Sequence, residues 1–407
     1  MVLGKLAAGR LRCTNQDLPA TEGGVQRKQR HLGAGSRGVA AAGLTLVLAL
    51  SVAACGSSST SSSDSSAGGQ ANTAAAQSAI APYTGHTSAF PVTEPLSKKL
   101  PAGTKFAYLQ CGAQACAVAG KTFADAVKAI GGELTVVNAG STASTAQAAV
   151  SSVLALKPAV TLATGLEPSL YGGGLKTLSD AGIKVVSISV AQDIAPFGIT
   201  FNYLGQPTFE LAGRLLANWV IANRGAKANV VFYGVPEISF SPIMQKAFEQ
   251  EMQKNCPTCT ERTASVGIAT LGTTASRTVV TDLQSHPDTS TAVFATAGIT
   301  SGLAAAMKAA NLSATTLGYA PQAGNLQDIK DGKVTAGLAV DYSVSVWAAV
   351  DAAARLVLGD SPTPAEVAGE VPFQFLGQKD ITFDPTNGWT GYPDYAQRFA
   401  TLWHTAA

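Results

Sequence analysis

The chain of 407 residues carries little charge: Asp, Glu, Lys and Arg make up only 13% of it. The formal net charge is +2, but seven of the basic residues precede Cys55, and the rest of the chain is acidic by three charges. A domain that binds nucleic acid needs a basic face on its folded part. The weakly acidic portion after Cys55 therefore argues against a nucleic-acid partner.

Motifs for catalysis and cofactor binding are also missing. No G-x-G-x-x-G or G-x-x-x-x-G-K-[ST] pattern stands at the end of a predicted strand, which argues against nucleotide binding. No G-x-S-x-G or H-E-x-x-H pattern provides a nucleophile or a metal site, and the four histidines are scattered. We therefore predict no catalytic residue, no metal, no cofactor and no enzymatic activity. An exported enzyme that pairs Glu167 with Asp341 is the weaker alternative.

The first apolar run is too short for a membrane span. Residues 39–54 are mostly apolar and follow a basic cluster, as in the n-region and h-region of a secretory signal. Val52-Ala53-Ala54-Cys55 resembles the bacterial lipobox, in which the cysteine receives a diacylglycerol. The resemblance implies a lipid anchor at Cys55 on the outer face of the cytoplasmic membrane. Residues before Arg27 have no role in such a signal, and we expect translation to start later, for instance at Val25.

Residues 56–77 consist almost entirely of Ser, Ala, Gly, Thr and Asn. A segment of this composition cannot bury enough apolar surface to fold. We therefore predict a flexible tether, followed by a stiffer proline-containing approach that ends near residue 101.

Four of the six cysteines remain after Cys13 and Cys55 are set aside, and they form two local pairs, Cys111 with Cys116 and Cys256 with Cys259. In an oxidising exterior each pair can close a small loop as a disulfide. The Cys-x-x-Cys spacing of the second pair also fits a redox dithiol, but the thioredoxin-like strand expected before it is missing. Unpaired thiols are the third interpretation. A zinc site is not expected, because the sequence offers no second pair of Cys or His ligands.

Strands and helices alternate through the rest of the chain. Between residues 105 and 190 four short apolar strands alternate with amphipathic helices, and the pattern begins again after Phe201. Nearly all-apolar strands separated by helices indicate parallel sheets covered on both faces. Hydrophobic residues make up 46% of the chain, enough for two cores. We predict an α/β protein with two Rossmann-like lobes, each with a parallel sheet, joined by a hinge.

Residues 291–359 carry a family resemblance. Predicted strands alternate with helices, and a final long helix follows the last strand. The markers, in order, are the turn Asp331-Gly332, the pair Asp341-Tyr342 and the helix stop at Gly359. This order resembles the closing third of the type I periplasmic solute-binding proteins, the ribose-binding-like family. The resemblance implies a monomer that closes its two lobes round a small solute and delivers it to an ABC importer.

The resemblance and the composition together divide the chain into five parts. They are the signal region 1–54, the lipidated cysteine and tether 55–102, an N-terminal lobe 103–201 with 341–372, a C-terminal lobe 202–340, and a tail 373–407 on the lobes or hinge.

The sequence departs from the family at the positions that bind sugars. Sugar-binding members have an Asp-Arg pair where this sequence has Ser189 and Val190. They have a later arginine where this sequence has Met244. At the remaining ligand-binding positions of the family this sequence has Ala297, Gly298 and Gly318-Tyr319-Ala320. Val340 stands in place of the family's hinge glutamine. Without charged clamps a sugar's hydroxyl groups would be poorly paired, at a cost of about 1–3 kcal/mol each. We therefore expect a less polar or aromatic solute.

Ligands of parallel α/β sheets bind beyond the carboxyl ends of the strands. The candidate ligand-binding residues in these loops are Gln114, Glu167, Ser189, Gln192, Asn202, Tyr233, Phe240, Met244, Thr296, Tyr319, Gln322 and Asp341. A sensor that presents the solute to a membrane receptor kinase would have the same fold and remains the alternative function. A DNA-binding repressor of the related type is excluded because the lipobox occupies the place of its helix-turn-helix.

Overall fold

A computed structural model describes residues 71–112 and 114–406. The predicted signal peptide, Cys55 and the first part of the tether lie outside the described residues. Among those described, no helix combines the length and the apolar character needed to cross a bilayer.

Two sheets form the framework. The strands are β1 (Lys105–Cys111), β2 (Glu133–Gly140), β3 (Val160–Thr164), β4 (Lys184–Ile188), β5 (Phe201–Tyr203), β6 (Asn229–Gly234), β7 (Thr260–Ser265), β8 (Thr291–Phe294), β9 (Thr315–Tyr319), β10 (Ala336–Val340) and β11 (Phe373–Gly377). The first sheet has the order β2-β1-β3-β4-β5, and the second has the order β11-β10-β9-β8-β6-β7. All neighbours pair in parallel except β10 and β11.

Helices cover both sheets. They are α1 (Thr73–Ile80), α2 (Gln114–Ala129), α3 (Ala143–Leu156), α4 (Gly174–Asp180), α5 (Gln206–Arg224), α6 (Phe240–Asn255), α7 (Ala275–Ser285), α8 (Leu303–Ala309), α9 (Ala323–Lys330), α10 (Tyr342–Leu358), α11 (Pro364–Val367) and α12 (Tyr395–Leu402). Central strands such as β3 and β8 are buried along their whole length, as strands covered on both faces must be. The predicted fold class, two α/β lobes with parallel sheets, is confirmed.

The chain passes between the lobes at the carboxyl ends of strands. After β5 it leaves the first sheet to form α5, and after β10 it leaves the second sheet to form α10. Helix α10 packs on α2, β4 and β5 of the first lobe. The chain then returns, because β11 lies antiparallel to β10 at the edge of the second sheet.

The segment before β1 differs from the predicted flexible tether. Residues 71–101, which we call the N-terminal arm, fold onto both lobes. Helix α1 packs on α5, and Ala76 and Ile80 are buried there. Further along the arm Val92, Leu96 and Leu100 are buried, and the Leu96 amide donates to the Leu402 carbonyl at 3.0 Å. The tether prediction is therefore corrected from Ala71 onward: these apolar side chains are spaced too widely to stand out by composition, but they pack against distant segments.

The C-terminal tail (residues 378–406) completes the first lobe. Trp403 is fully buried and stacks on Trp347 of α10, with ring centroids 5.2 Å apart. Its indole nitrogen donates to Asp351 at 2.6 Å. Asp351 pairs with the buried Arg355, which also donates to the Glu94 carbonyl of the arm. Arm and tail are thus joined to α10 through one buried polar network.

Candidate ligand-binding cleft

The carboxyl ends of the strands in both sheets lie on the side of the hinge. This follows because two of the crossings between the lobes begin where β5 and β10 end. Groups at the ends of the other parallel strands must lie along the same two edges. These edges are where a ligand of such a fold binds.

Two residues directly after strands have left-handed backbone. Ser189, directly after β4, has φ 63°, and Ala320, directly after β9, has φ 53°. Left-handed backbone is costly for residues other than glycine, and it is retained where surrounding hydrogen bonds determine it. The Ser189 amide donates to the Tyr203 carbonyl, and the Ala320 amide donates to the Leu338 carbonyl, both at 2.9 Å. Both strand ends are therefore held in a defined conformation.

In the first lobe three of the predicted ligand-binding residues lie beside the carboxyl ends of strands. Glu167 follows β3 and is half-buried, and its Oε2 atom is buried without a hydrogen-bond partner in the described residues. Ser189 and Gln192 follow β4 and are half-buried. Gln114 is the first residue of α2, and its side chain lies outside the described part. An unpaired buried oxygen at a strand end is a group that a ligand can satisfy.

The Cys111–Cys116 disulfide lies at the same edge. It links the last residue of β1 to the first turn of α2, with the Cα atoms 5.5 Å apart. Gly165, just after β3, packs directly on it: a Cβ atom added there would lie 2.9 Å from Cys111 Sγ and closer still to Cys116 Sγ. The Tyr108 hydroxyl donates to the Cys116 carbonyl at 3.0 Å. The disulfide thus ties the end of β1 to α2 and packs against the loop that follows β3.

The second lobe contributes aromatic and hydroxyl groups. Tyr319 is the last residue of β9 and is 5% exposed. Its ring lies edge-on to Phe240, the first residue of α6, with centroids 6.1 Å apart, and Phe240 stacks on Phe209 at 4.8 Å. Burial raises the pKa of the Tyr319 phenol above its usual value. Thr296 is half-buried after β8, and its hydroxyl accepts from the Gly298 amide at 3.3 Å.

Asp341 has a structural role instead of the predicted ligand contact. It is fully buried at the start of α10, and its Oδ1 accepts from the Val344 amide at 3.1 Å. Its Oδ2 accepts from the Thr390 hydroxyl at 2.7 Å and the Gly391 amide at 2.8 Å. Burial raises the pKa of the carboxyl group, and these hydrogen bonds oppose the shift. Asp341 therefore anchors the tail to the hinge crossing.

Three other predicted residues also have internal roles. Tyr233, in β6, is fully buried under α7, and its hydroxyl donates to Asp282 of that helix at 2.6 Å. Met244 is fully buried, and its carbonyl lies against Gly213 of α5. The Asn202 amide accepts from the Ser187 hydroxyl at 2.9 Å and donates to the Val190 carbonyl at 2.8 Å, which ties down the loop after β4. The ligand role predicted for these three is corrected, since their polar atoms or surfaces are already occupied.

Gln322 is exposed near a strand end, but part of its hydrogen-bonding capacity is already used. It is exposed at the start of α9, and its side chain donates to the Ala320 carbonyl at 3.2 Å. It lies at the predicted strand end, but one of its donors is used there.

The sequence analysis missed Tyr342. This residue opens α10 directly after Asp341 and is 36% exposed. Burial raises the pKa of its phenol. The signal was present, since Tyr342 follows a predicted strand at its carboxyl end as the other candidates do.

Two open depressions lie elsewhere, on the second lobe. One of about 510 Å³ is lined by Arg277, Asp282 and His286, and one of about 400 Å³ by Met307, Asn311 and Lys333. Both lie where helices α7 and α8 end and lead into β8 and β9, at the amino edge of the second sheet. Arg262 donates to both oxygens of Asp282 at 3.0 and 2.7 Å. Burial alone would raise the pKa of Asp282, but Arg262 and Tyr233 hold it below its usual value.

The second disulfide lies away from the strand ends. Cys256 and Cys259 are bonded just after α6, with Cα atoms 5.4 Å apart. The preceding Asn255 carbonyl accepts from the Asn72 amide at 2.7 Å. This disulfide therefore lies next to the place where the N-terminal arm joins the second lobe. Both predicted disulfide pairs are present in the structure.

Comparison with known proteins agrees with this geometry. Residues 112–361, more than half of the chain, match the family described as periplasmic binding protein domain. No protein among curated sequences matches the chain. The chain belongs to the periplasmic binding protein family, and its two lobes have the type I, ribose-binding-like arrangement predicted from residues 291–359.

Solved structures share the fold at low identity. A periplasmic ribose ABC transporter protein from Conexibacter woesei is 15% identical, with a TM-score of 0.61 over 74% of this chain and 98% of its own. A periplasmic solute-binding protein of an ABC transporter from Actinobacillus succinogenes, with bound D-allose, is 17% identical, with a TM-score of 0.57 over 68% and 98%. A XylFII–LytSN complex chain is 16% identical, with a TM-score of 0.56 over 69% and 100%.

Proposed function

We propose that this protein captures a small organic solute, sugar-like or less polar, outside the cytoplasm and hands it unchanged to an ABC importer. The proposal is supported by the family match over residues 112–361 and by the presence of polar and aromatic residues at the carboxyl ends of strands in both sheets. Lobe closure around a ligand is the usual motion of such an arrangement. The structural relatives include a protein with bound D-allose, which supports a polyhydroxylated or similar solute.

The groups at these edges favour a solute of moderate polarity. They are mainly hydroxyls, amides and rings, contributed by Ser189, Gln192, Thr296, Tyr319 and Phe240. Asp341, at the crossing from β10 to α10, is saturated by internal hydrogen bonds. One Glu167 oxygen has no hydrogen-bond partner among the described residues, and it can accept from a hydroxyl or an amine. The solute would thus make few charged contacts and at least one donated hydrogen bond.

Membrane attachment is the second part of the proposal. Cys55, once cleaved and acylated, would hold the protein to the outer face of the cytoplasmic membrane, with two lipid chains giving stable anchoring. The protein would act as a monomer there. Mass spectrometry of the N-terminal peptide tests this: we expect an acylated Cys55, and an unmodified peptide that starts upstream would refute it.

A thermal-shift screen tests the solute. The panel contains D-ribose, D-allose, allitol, nucleosides and aromatic acids. The molecular mass of the recovered ligand is measured after incubation. We expect one class to raise the melting temperature and to be recovered unchanged. Recovery of a chemically altered product would overturn the proposal. Micromolar binding of an ordinary aldopentose or aldohexose would overturn only the preference for a less polar solute.

A sensor function is the alternative, and the similarity to a XylFII–LytSN complex favours keeping it. The two functions differ in the partner. Deletion of the gene would abolish uptake of the labelled solute if the partner is an importer. It would leave uptake intact and abolish solute-dependent phosphorylation if the partner is a receptor kinase.

A further inference from the structure

The amino edge of the second sheet carries several exposed basic side chains. The helices that lead into β6, β7, β9 and β10 each have a basic residue in the last turn. The helix dipole favours a cation at each of these ends, and together they give the edge a positive face. The chain after Cys55 is acidic by three charges, so this face does not follow from overall composition. The exposed basic residues of the edge are Arg224, Lys227, Lys254, Lys308, Lys330 and Lys333.

The positive charge is least compensated where α5 and α6 end. Within the part of the chain that the structure describes, neither Arg224 nor Lys227 forms an ion pair. Lys254 lies 4.0 Å from the buried carboxylate of Glu251. Lys333, further along the edge, is paired with two aspartates at 3.5 and 2.8 Å. We call Arg224, Lys227 and Lys254 the basic patch.

The residues of the basic patch belong to one surface. Helices α5 and α6 pack along each other. The turn after α5 meets the turn after α6, because the Gly225 carbonyl oxygen lies 3.4 Å from Cys259 Sγ and 3.9 Å from Cys256 Sγ. The loop that follows Lys254 is therefore in contact with the turn that carries the other two basic residues.

The N-terminal arm begins at the basic patch. The Asn72 amide donates to the carbonyl of Asn255, the residue after Lys254, at 2.7 Å. A Cβ atom added to Gly225 would lie 3.8 Å from Thr73 Cγ2, so the start of α1 lies against the turn after α5. The predicted tether therefore joins the folded protein beside the basic patch.

The length of the predicted tether would keep the basic patch near the membrane. Fifteen residues, 56–70, separate Cys55 from the arm. A flexible chain of this length spans about 20 Å on average and about 55 Å when fully extended. A lipid on Cys55 would thus hold the basic patch within a few Debye lengths of the headgroups, each about 8 Å at physiological ionic strength.

We propose that the basic patch docks on anionic phospholipid headgroups, so that the protein rests on the membrane with the amino edge of its second lobe facing the lipid. The inference rests on the proposed acylation of Cys55. A basic surface beside a lipid chain adds a second, electrostatic contribution to membrane binding. The carboxyl ends of the parallel strands lie at the opposite edge of the same sheet. The candidate cleft therefore stays clear of the headgroups.

Vesicle sedimentation tests the basic patch with a chain that has no lipid. The chain from residue 55 onward, which retains every described residue, carries Cys55→Ser. It is mixed with vesicles of phosphatidylcholine, alone or in equal parts with phosphatidylglycerol. We expect salt-sensitive binding to the phosphatidylglycerol vesicles only. Combining Arg224→Gln, Lys227→Gln and Lys254→Gln should weaken this binding at least about tenfold, since each cation near an anionic surface contributes about fivefold.

A matched variant on the first lobe controls for net charge. Lys121→Gln, Lys128→Gln and Lys157→Gln together remove three exposed cations from α2 and from the residue after α3. Because these positions are remote from the tether, vesicle binding should stay within about threefold of that of the unsubstituted chain. Melting temperatures verify that both variants fold. Equal weakening in both variants, or equal binding of the unsubstituted chain to both kinds of vesicle, would refute the docking surface.

The acylated protein tests the orientation. Ala226→Cys, within the basic patch, and Ser151→Cys, on α3 of the first lobe, place exposed thiols for a fluorescent maleimide. Each labelled protein is bound through its lipid to phosphatidylglycerol vesicles that contain a headgroup-attached quencher. We expect stronger quenching of the label at position 226. Equal quenching of the two labels would overturn the proposed orientation.

The two experiments separate the docking surface from the lipid anchor. If Cys55 proves unmodified while the Cys55→Ser chain binds phosphatidylglycerol vesicles through the basic patch, the anchor fails and the docking surface stands. If Cys55 is acylated while the Cys55→Ser chain binds neither kind of vesicle, the anchor stands and the docking surface is refuted.

Discussion

Replacing Gly165 by alanine tests whether the Cys111–Cys116 disulfide determines the conformation of the candidate site. Gly165 has φ +78° and follows β3, two residues before Glu167. A Cβ atom there would lie 2.9 Å from Cys111 Sγ and nearer to Cys116 Sγ, a separation that packed atoms do not tolerate. The alanine must therefore displace either the disulfide or the loop that carries Glu167.

Two costs contribute to the expected loss of stability. Alanine in left-handed backbone costs about 1–2 kcal/mol, and overpacking against the sulfur atoms adds about 1–3 kcal/mol. Gly131→Ala is the matched control, because Gly131 has φ +86° and no atom within 4 Å of an added Cβ. The control should lose only the backbone cost of about 1–2 kcal/mol. The difference between the two variants isolates the contact with the disulfide.

Urea unfolding under non-reducing conditions measures both variants, and intact mass verifies that the disulfides are retained. We expect Gly165→Ala to unfold at lower urea than Gly131→Ala, with a difference in free energy of about 1–3 kcal/mol. Solute affinity should fall in Gly165→Ala and not in Gly131→Ala, because only the first displaces the loop of Glu167. Equal losses of stability and unchanged affinity in both variants would show that the disulfide does not position this loop.

Two further predictions concern buried groups. Burial, with Asp351 nearby, raises the pKa of Glu366 to about 8, against an ordinary value of 4.5. Between these values the folded state holds a proton that the unfolded state has lost, so stability should fall as pH rises from about 4.5 to about 8, by at most about 1.4 kcal/mol per pH unit. Glu366→Gln should flatten this decline in urea unfolding followed across the range, and an unchanged slope would contradict the assignment. Tyr233→Phe removes the hydrogen bond to Asp282 and should cost about 1–2 kcal/mol in unfolding free energy while leaving solute affinity unchanged. Weaker solute binding by a normally stable Tyr233→Phe would return Tyr233 to the site.

The arm and the tail show where sequence patterns lose their predictive value. The composition of residues 56–77 indicated a flexible segment, yet α1 begins at Thr73 and buries Ala76 and Ile80 against α5. The stabilising partner lies more than a hundred residues away, so no local pattern records it. The same holds for β11, whose pairing with β10 depends on a chain return after α10 and α11.

Among the candidate residues, exact position relative to the strand end decides which side chains lie at the edge of the sheet and which lie in the core. Tyr319 ends β9 and lies at the edge, whereas Tyr233 lies inside β6 and points into the buried layer under α7. Both are aromatic residues near the end of an apolar strand, and their sequence contexts look alike. A shift of one residue reverses the side on which a strand side chain lies.

The amino-acid sequence by itself determined the two α/β lobes, their parallel sheets and the two local cysteine pairs, because these depend on short-range periodicity and spacing. The tertiary structure alone decided which polar side chains remain available to a ligand. Asp341 is removed from the site by Thr390 and Gly391, and Tyr233 by Asp282, each about 50 residues distant in the chain. Such partners are brought together only by packing, so the chemical character of the cleft follows from the fold and not from the order of residues.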